Sequence, residues 1–142
     1  MEDDEVLLRT FRKYLASVPQ HLNYILPRDL AAAMADGEDR YFILDNRTPE
    51  AYAAGHIPGS VNIWMKDVLQ PAQLARLPRD KQIVVCCWVG HTASQLIPIL
   101  STLGYDVIGL KYGMGTARNA SEAKLGWAEQ DLPVSRGEPE TS

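Results

Sequence analysis

Hydrophobic and polar positions near the N-terminus follow the period of a helix. Apolar side chains recur on one helix face, with arginines and a lysine between them, at Leu7, Phe11, Tyr14, Leu15 and Val18. Pro19 ends the segment, because proline cannot continue a helix without losing a backbone hydrogen bond. The pattern predicts an amphipathic helix over residues 5–18.

Beyond this helix, short apolar runs alternate with helical segments. Strands are predicted at residues 24–26, 41–45, 61–63, 83–87 and 106–110. Helices are predicted at residues 27–36, 49–54, 71–76, 93–103 and 116–125. Strands that alternate with helices in this way indicate an α/β fold, with a mostly parallel central sheet and helices on both of its faces.

The length of 142 residues suits a single domain whose core needs no disulfides. We expect residues 1–20 to form an N-terminal amphipathic helix extension and residues 21–134 to form the α/β domain. Residues 135–142 are polar, and we expect them to form a flexible tail.

Composition and charge exclude several classes of protein. With 14 Lys and Arg against 18 Asp and Glu and no basic cluster, the chain is not expected to have a nucleic-acid partner. The longest apolar run, residues 83–89, is far shorter than the roughly 18 residues of a membrane span. The acidic N-terminus has the opposite charge to a secretion signal. We therefore expect a cytoplasmic protein without a membrane partner, or a periplasmic one if an upstream signal was removed.

The two cysteines, Cys86 and Cys87, are adjacent in the sequence. Neighbouring cysteines cannot cross-link distant segments, which excludes a disulfide framework. A metal site would have to gather the scattered His21, His56 and His91, so we expect no metal. The pair can then be structural thiols, reactive thiols, or one of each.

Cys87 lies at the carboxyl end of the most apolar strand, the place where ligands bind in parallel sheets. It opens a loop that leads to the next predicted helix, whose dipole favours a thiolate by about 0.3–1 kcal/mol. A bend at Gly90 would add backbone N–H groups as an anion-binding nest. From spacing alone, a buried strand cysteine before a turn explains Cys87 equally well. Strand alternation turns Cys86 to the opposite face, which favours an inert core thiol.

Three motifs resemble those of the rhodanese-like domain family. Residues 44–47 read LDNR and residues 50–63 read EAYAAGHIPGSVNI, which is similar to the first signature of that family. The second signature of the family is a hydrophobic strand that ends in C-x-x-G-x-(R/T)-(S/A). Its defined positions are matched here, in order, by Cys87, Gly90, Thr92 and Ala93. Residues 103–107, LGYDV, are similar to the element before the family's next strand. The resemblance covers about residues 24–116.

The resemblance implies a rhodanese-like fold and a single-domain sulfurtransferase of the thiosulfate:cyanide type. In such an enzyme the Cys87 thiolate would attack a sulfane sulfur of thiosulfate or a persulfide. It would hold that sulfur as a Cys87 persulfide and pass it to cyanide or a thiol, without a cofactor. The substrate-binding loop would consist of Trp88, Val89, Gly90, His91 and Thr92. The resemblance also implies a scaffold role for the first signature, including His56.

Two other functions use related scaffolds. A phosphatase with a C-x5-R loop needs an arginine six residues after the cysteine, and this chain has Ala93 there, which disfavours that reading. A protein-binding or sulfur-relay module with little thiosulfate activity would present Trp88 and Val89 as an exposed apolar anchor. This module is the alternative to the enzyme.

The loop departs from the family at its charged positions. Members that favour thiosulfate often carry Arg or Lys beside the cysteine, where this chain has Trp88 and Val89. The arginine common five residues after the cysteine is replaced by Thr92. A loop without a cation binds a dianion weakly, so we expect a high KM for thiosulfate. Lys111 and Arg118, near the next strand end, are candidates for a replacement charge.

Overall fold

The structure is a computed structural model that describes residues 1–115 and 125–138. Its helices are α1 (Glu2–Ser17), α2 (Pro27–Ala35), α3 (Pro49–Ala54), α4 (Pro71–Leu74) and α5 (His91–Thr102). Its strands are β1 (Tyr24–Ile25), β2 (Tyr41–Asp45), β3 (Val61–Asn62), β4 (Gln82–Cys86) and β5 (Val107–Leu110). Short 3-10 turns occur at Met65–Asp67 and Trp127–Glu129. No helix in the described part of the chain is long and apolar enough to cross a membrane.

The strands form one parallel sheet in the order β1-β5-β4-β2-β3. This confirms the predicted α/β class. The central position of β4 agrees with its β-branched, apolar sequence, which is typical of strands buried on both faces. The register pairs Asp45 at the end of β2 with Cys86 at the end of β4. The two strands therefore stop side by side.

Side chains from the two faces of the sheet form separate hydrophobic clusters. The cluster between the sheet and α5 contains Leu96 and Cys87. The cluster between the sheet and α2 contains Leu30, Trp127 and Cys86. Helices thus cover both faces, as predicted, and the adjacent cysteines face opposite clusters.

Helix α5 begins at His91, two residues earlier than predicted, and β4 ends at Cys86, one residue earlier. Gly90 explains the early start of the helix. Its φ of +106° lies in the left-handed region that glycine adopts readily, and this lets the chain turn directly into α5. His91 and Thr92, expected in the loop, are therefore the first two residues of the helix.

Helix α1 and Ser135 both contact other elements of the fold. Helix α1 lies along α5, and its apolar Leu7, Phe11 and Leu15 remain largely exposed. Ser135, the first residue of the expected flexible tail, pairs with His56 in an antiparallel bridge. The predicted helix at residues 116–125 lies, except for its last residue, outside the described residues, as do residues 139–142 of the predicted tail.

A buried ion pair fixes the carboxyl end of β2. Nη2 of Arg47 donates to Oδ2 of Asp45 at 2.8 Å, and Nε donates to Oδ1 at 3.0 Å. Nη2 also donates to the carbonyl of Gly55 at 2.7 Å, which ties the pair to the end of α3. Both charged side chains are almost completely buried. Removing one partner would therefore leave an uncompensated charge inside the protein.

Asp45→Asn should lower the free energy of unfolding by about 3–5 kcal/mol, because Arg47 stays buried without its counterion. The matched control is Asp39→Asn. Asp39 pairs with Lys81 at 2.8 Å, but its side chain is 89% exposed, and such surface pairs contribute about 0–1 kcal/mol. Urea unfolding of both variants measures the difference. Equal losses in the two variants would contradict the structural role of the buried pair.

Candidate active site

The candidate active site lies where β4 ends and α5 begins. Cys87 follows β4 directly, and residues 88–90 return the chain so that the N-terminus of α5 meets the Cys87 side chain. Sγ of Cys87 accepts hydrogen bonds from the backbone N–H of Gly90 at 3.0 Å and from that of Ala93 at 3.4 Å. These donors belong to the cap and first turn of α5, where backbone N–H groups have no partner within the helix.

This arrangement favours negative charge on the Cys87 sulfur. Backbone N–H groups and the positive end of the helix dipole both stabilise an anion at a helix N-terminus. A thiolate or a persulfide anion carries the charge that they stabilise, whereas a neutral thiol gains little. Cys87 is only 1% exposed, so the sulfur lies beneath the loop rather than on the surface.

Cys86 has a different environment although it is the adjacent residue. Its side chain is fully buried in the cluster that contains Leu30 and Trp127. Burial, and secondly the nearby carboxylate of Asp45, raise the pKa of the Cys86 thiol well above its usual range. Cys86 is therefore a protonated core thiol at neutral pH, and Cys87 is the candidate nucleophile.

The turn after β5 holds the Cys87 loop from its other side. The N–H of Met114 donates to the carbonyl of Cys87 at 2.8 Å, and the N–H of Gly115 donates to the carbonyl of Trp88 at 2.8 Å. Gly113 has φ +56°, and a Cβ atom there would lie 2.4 Å from the Cys87 carbonyl oxygen. Only glycine allows this approach, which joins the turn and the loop into one unit.

Asn46 and Ala93 belong to the site, although neither is among the site residues predicted from the sequence. Asn46 follows β2, is completely buried, and accepts a hydrogen bond at Oδ1 from Oγ1 of Thr92 at 3.3 Å. Ala93 supplies one of the donors to Cys87. The place of Ala93 in the second signature is a sequence signal for its backbone role. The position of Asn46 depends on the pairing of β2 with β4, which no local pattern reveals.

An open cleft of about 550 Å³ borders the loop and reaches the end of β5. Its lining includes Val89, Gly90, His91, Lys111 and Tyr112. His91 is exposed at the first position of α5. Among the described residues that line the cleft, Lys111 is the only Lys or Arg. Lys111 is thus the candidate cation at the rim of the cleft, and Arg118, the other candidate, lies outside the described residues.

The two apolar residues after Cys87 have different surroundings. Trp88 is half-buried, and its ring packs edge-on against Trp64 with the ring centroids 6.3 Å apart. Val89 is 44% exposed and lines the cleft. Trp88 and Val89 were both expected to be exposed as an apolar anchor. Only Val89 is exposed, because Trp88 packs on the hydrophobic cluster that contains Cys87.

His56 occupies a structural position. Its ring stacks on that of Tyr52 with centroids 3.6 Å apart, and its Nδ1 lies 2.8 Å from the Tyr52 carbonyl oxygen. Its backbone pairs with Ser135. These contacts agree with the scaffold role that the resemblance implies. Within residues 1–115 and 125–138, no three His, Cys, Asp or Glu side chains are grouped closely enough to hold a metal ion.

The chain is similar to known proteins in sequence. Residues 26–118 match the model of the family described as the rhodanese-like domain. A protein named sulfurtransferase from Allochromatium vinosum is 30% identical over 114 residues, which cover 80% of this chain and 94% of that protein. Thiosulfate sulfurtransferase PspE from Escherichia coli is 34% identical over 62 residues, which cover 44% of this chain and 60% of that protein.

The fold is also similar to that of solved structures. The crystal structure of the BH2092 protein from Bacillus halodurans superimposes with a TM-score of 0.67 at 22% sequence identity. The superposition covers 90% of this chain and 85% of that chain. At this level of identity the likeness concerns the fold alone.

Cys87 should react with iodoacetamide at least about tenfold faster than Cys86, because thiolates are the reactive form and burial keeps Cys86 protonated. Partial labelling at neutral pH, followed by peptide mass analysis, measures the two rates. Cys86→Ser should keep almost all of the label, and Cys87→Ser should lose it. Preferential labelling of Cys86 would overturn the choice of nucleophile.

Proposed function

The chain belongs to the rhodanese-like domain family, and we propose that it is a sulfurtransferase that carries a sulfane sulfur on Cys87. The observation that carries the proposal is the pair of backbone N–H groups, from Gly90 and Ala93, that donate to Sγ of Cys87. Sulfur transfer needs a cysteine sulfur that is stable as an anion before it attacks the donor and again after it has passed the sulfane sulfur to the acceptor. Fixed donors at the N-terminus of α5 supply that stabilisation.

In the first half-reaction, the Cys87 thiolate attacks the outer, sulfane sulfur of the donor. A new S–S bond forms between Cys87 and that sulfur while the donor's own bond to it breaks. With thiosulfate, sulfite leaves with the electron pair of the broken bond. With a persulfide donor, the leaving group is a thiolate. The product on the protein is the Cys87 persulfide anion, and no net oxidation occurs.

In the second half-reaction, a thiophilic acceptor attacks the terminal sulfur of the persulfide. Cyanide gives thiocyanate, and a thiolate acceptor gives a new persulfide. The S–S bond to Cys87 breaks, and its electron pair returns to Sγ as the thiolate. The N–H groups of Gly90 and Ala93, which we call the anion cradle, then stabilise this leaving group. The anion cradle therefore acts in both halves of a ping-pong reaction.

The residues around the cleft bear on the choice of donor. Val89 and Thr92 carry no charge, and Lys111 lines the same cleft as Val89 and Gly90. A single exposed ammonium attracts a dianion only modestly, and salt screens that attraction. Thiosulfate should therefore be a donor with a high KM, and a persulfide is the other donor we propose.

A protein-binding or sulfur-relay module is the second candidate function. Val89 and Tyr112 are both exposed at the cleft beside the loop. Apolar side chains exposed together at the mouth of a site favour contact with another protein. The two functions are compatible when the sulfur donor is itself a protein persulfide.

Incubation with thiosulfate or a small persulfide should add about 32 Da to the intact protein, the mass of one sulfur atom transferred to Cys87. Cyanide should then remove the added mass as thiocyanate. Cys86→Ser is the matched control and should form the adduct, whereas Cys87→Ser should not. Intact-protein mass spectrometry gives the answer. An unchanged mass with every donor would favour the binding module over the enzyme.

Lys111→Met should raise the KM for thiosulfate about two- to fivefold at low ionic strength, because it removes the cation at the rim of the cleft. Val89→Lys should lower the KM severalfold. Both effects should shrink as salt is added. Lys66→Met removes an exposed charge from the Met65–Asp67 turn and serves as the control. A response to Lys111→Met no larger than the response to Lys66→Met would show that Lys111 does not attract the donor.

A further inference from the structure

Asn46 follows β2 directly, as Cys87 follows the neighbouring strand β4. The β2–β4 register pairs Asp45 with Cys86, so Asn46 and Cys87 are the first residues after two adjacent strand ends. The N–H of Asn46 donates to the carbonyl of Cys86 at 3.0 Å, and its carbonyl accepts from the N–H of Met65 at 3.1 Å. The backbone of Asn46 is therefore held on both sides.

The side chain of Asn46 is buried and only partly satisfied. Asn46 is 0% exposed, and its Oδ1 accepts from Oγ1 of Thr92 at 3.3 Å. Its Nδ2 has no hydrogen-bond partner among the described residues. A buried amide without a partner is unfavourable and rare, so its contact with the first turn of α5 points to a role beyond packing.

Thr92 connects this amide to the donors of the anion cradle. It is the second residue of α5 and lies in sequence between Gly90 and Ala93, whose N–H groups point at Sγ of Cys87. The bond from Thr92 to Asn46 therefore ties the first turn of α5 to the end of β2. That end is itself immobilised by the Asp45–Arg47 pair.

We propose that Asn46 is a positioning residue for sulfur transfer, which holds the first turn of α5 over Cys87 through Thr92. This role deepens the proposed function, on which it rests, by naming a residue that sets the geometry of the same site.

The test compares three variants with the wild type: Asn46→Leu, Thr92→Val and the double variant. Each single change removes the Asn46–Thr92 bond with little change in volume. We expect each to lower kcat for sulfur transfer about 3- to 10-fold, with KM changed less than twofold, because one neutral hydrogen bond orders the cradle. The double variant should be no slower than the slower single variant, since both remove the same bond.

Three further variants separate positioning from stability. Thr92→Ser keeps the hydroxyl and should restore kcat to within about twofold of the wild type. Asn46→Asp keeps an acceptor for Thr92 but adds a negative charge beside Cys87, and should be slower than Asn46→Leu. Thr102→Val removes a hydroxyl at the far end of α5, where Oγ1 donates to the carbonyl of Ile99, and should leave kcat unchanged.

The rate of Cys87 alkylation by iodoacetamide is the second readout and does not depend on sulfur transfer. We expect the same 3- to 10-fold loss in Asn46→Leu and Thr92→Val. A wild type that forms no persulfide contradicts the proposed function alone, and the alkylation rates then still decide the role of Asn46. Unchanged kcat and alkylation rates, with only a lower unfolding midpoint, would overturn the inference, as would losses that multiply in the double variant. If Asn46→Leu does not fold, Thr92→Val and Thr92→Ser decide the outcome.

Discussion

The buried ion pair between Asp45 and Arg47 is the interaction on which the site depends. Burial alone lowers the pKa of Arg47, but its hydrogen bonds and charge interaction with Asp45 outweigh this, and the pKa lies above its ordinary value. The guanidinium therefore stays charged and keeps the end of β2 tied to the Gly55 carbonyl. The backbone beyond β2 is held as well, because Nδ2 of Asn62 donates to the carbonyls of Asp45 and Arg47. Because the end of β2 is fixed, the end of the neighbouring strand β4 is fixed as well. Cys87, the next residue after β4, therefore has a defined position.

The two adjacent thiols have different environments because their side chains point to opposite faces of the sheet. Cys86 faces an apolar cluster and the Asp45 carboxylate, and both oppose ionisation. Cys87 faces the other way, where two backbone N–H groups donate to its sulfur. The side-chain alternation of one strand therefore separates a structural thiol from a candidate nucleophile without any change of residue type. The arrangement needs β4 to end where it does, since a slip of one residue would exchange the two environments.

The parts of this structure that were predictable from sequence are those with local causes. The limits of β2 match because an apolar run is bounded by polar residues, and the opposite facing of the cysteines follows from strand alternation. The predicted start of α5 is wrong by two residues, because the helix start depends on the left-handed turn at Gly90. The hydrogen bond between Asn46 and Thr92 and the packing of Trp88 on Trp64 join segments that are distant in the sequence. Such contacts leave no periodic signal in a single sequence.

In the proposed sulfurtransferase, recognition of the donor would have to come from the rim of the cleft rather than from the N–H groups that face Cys87. The N–H groups of Gly90 and Ala93 stabilise any sulfur anion, so they do not discriminate between donors. Tyr112 at the rim has φ +65°, a conformation that disfavours non-glycine residues by about 1–2 kcal/mol, and its ring is exposed at the cleft. Strain of this kind persists where the surrounding structure enforces it, and it is common at ligand-binding sites. Tyr112 and Val89 offer apolar contact to a large donor, while Lys111 offers charge to a small dianion. Under the proposed function, the balance between these two parts of one rim would determine which kind of sulfur donor the site prefers.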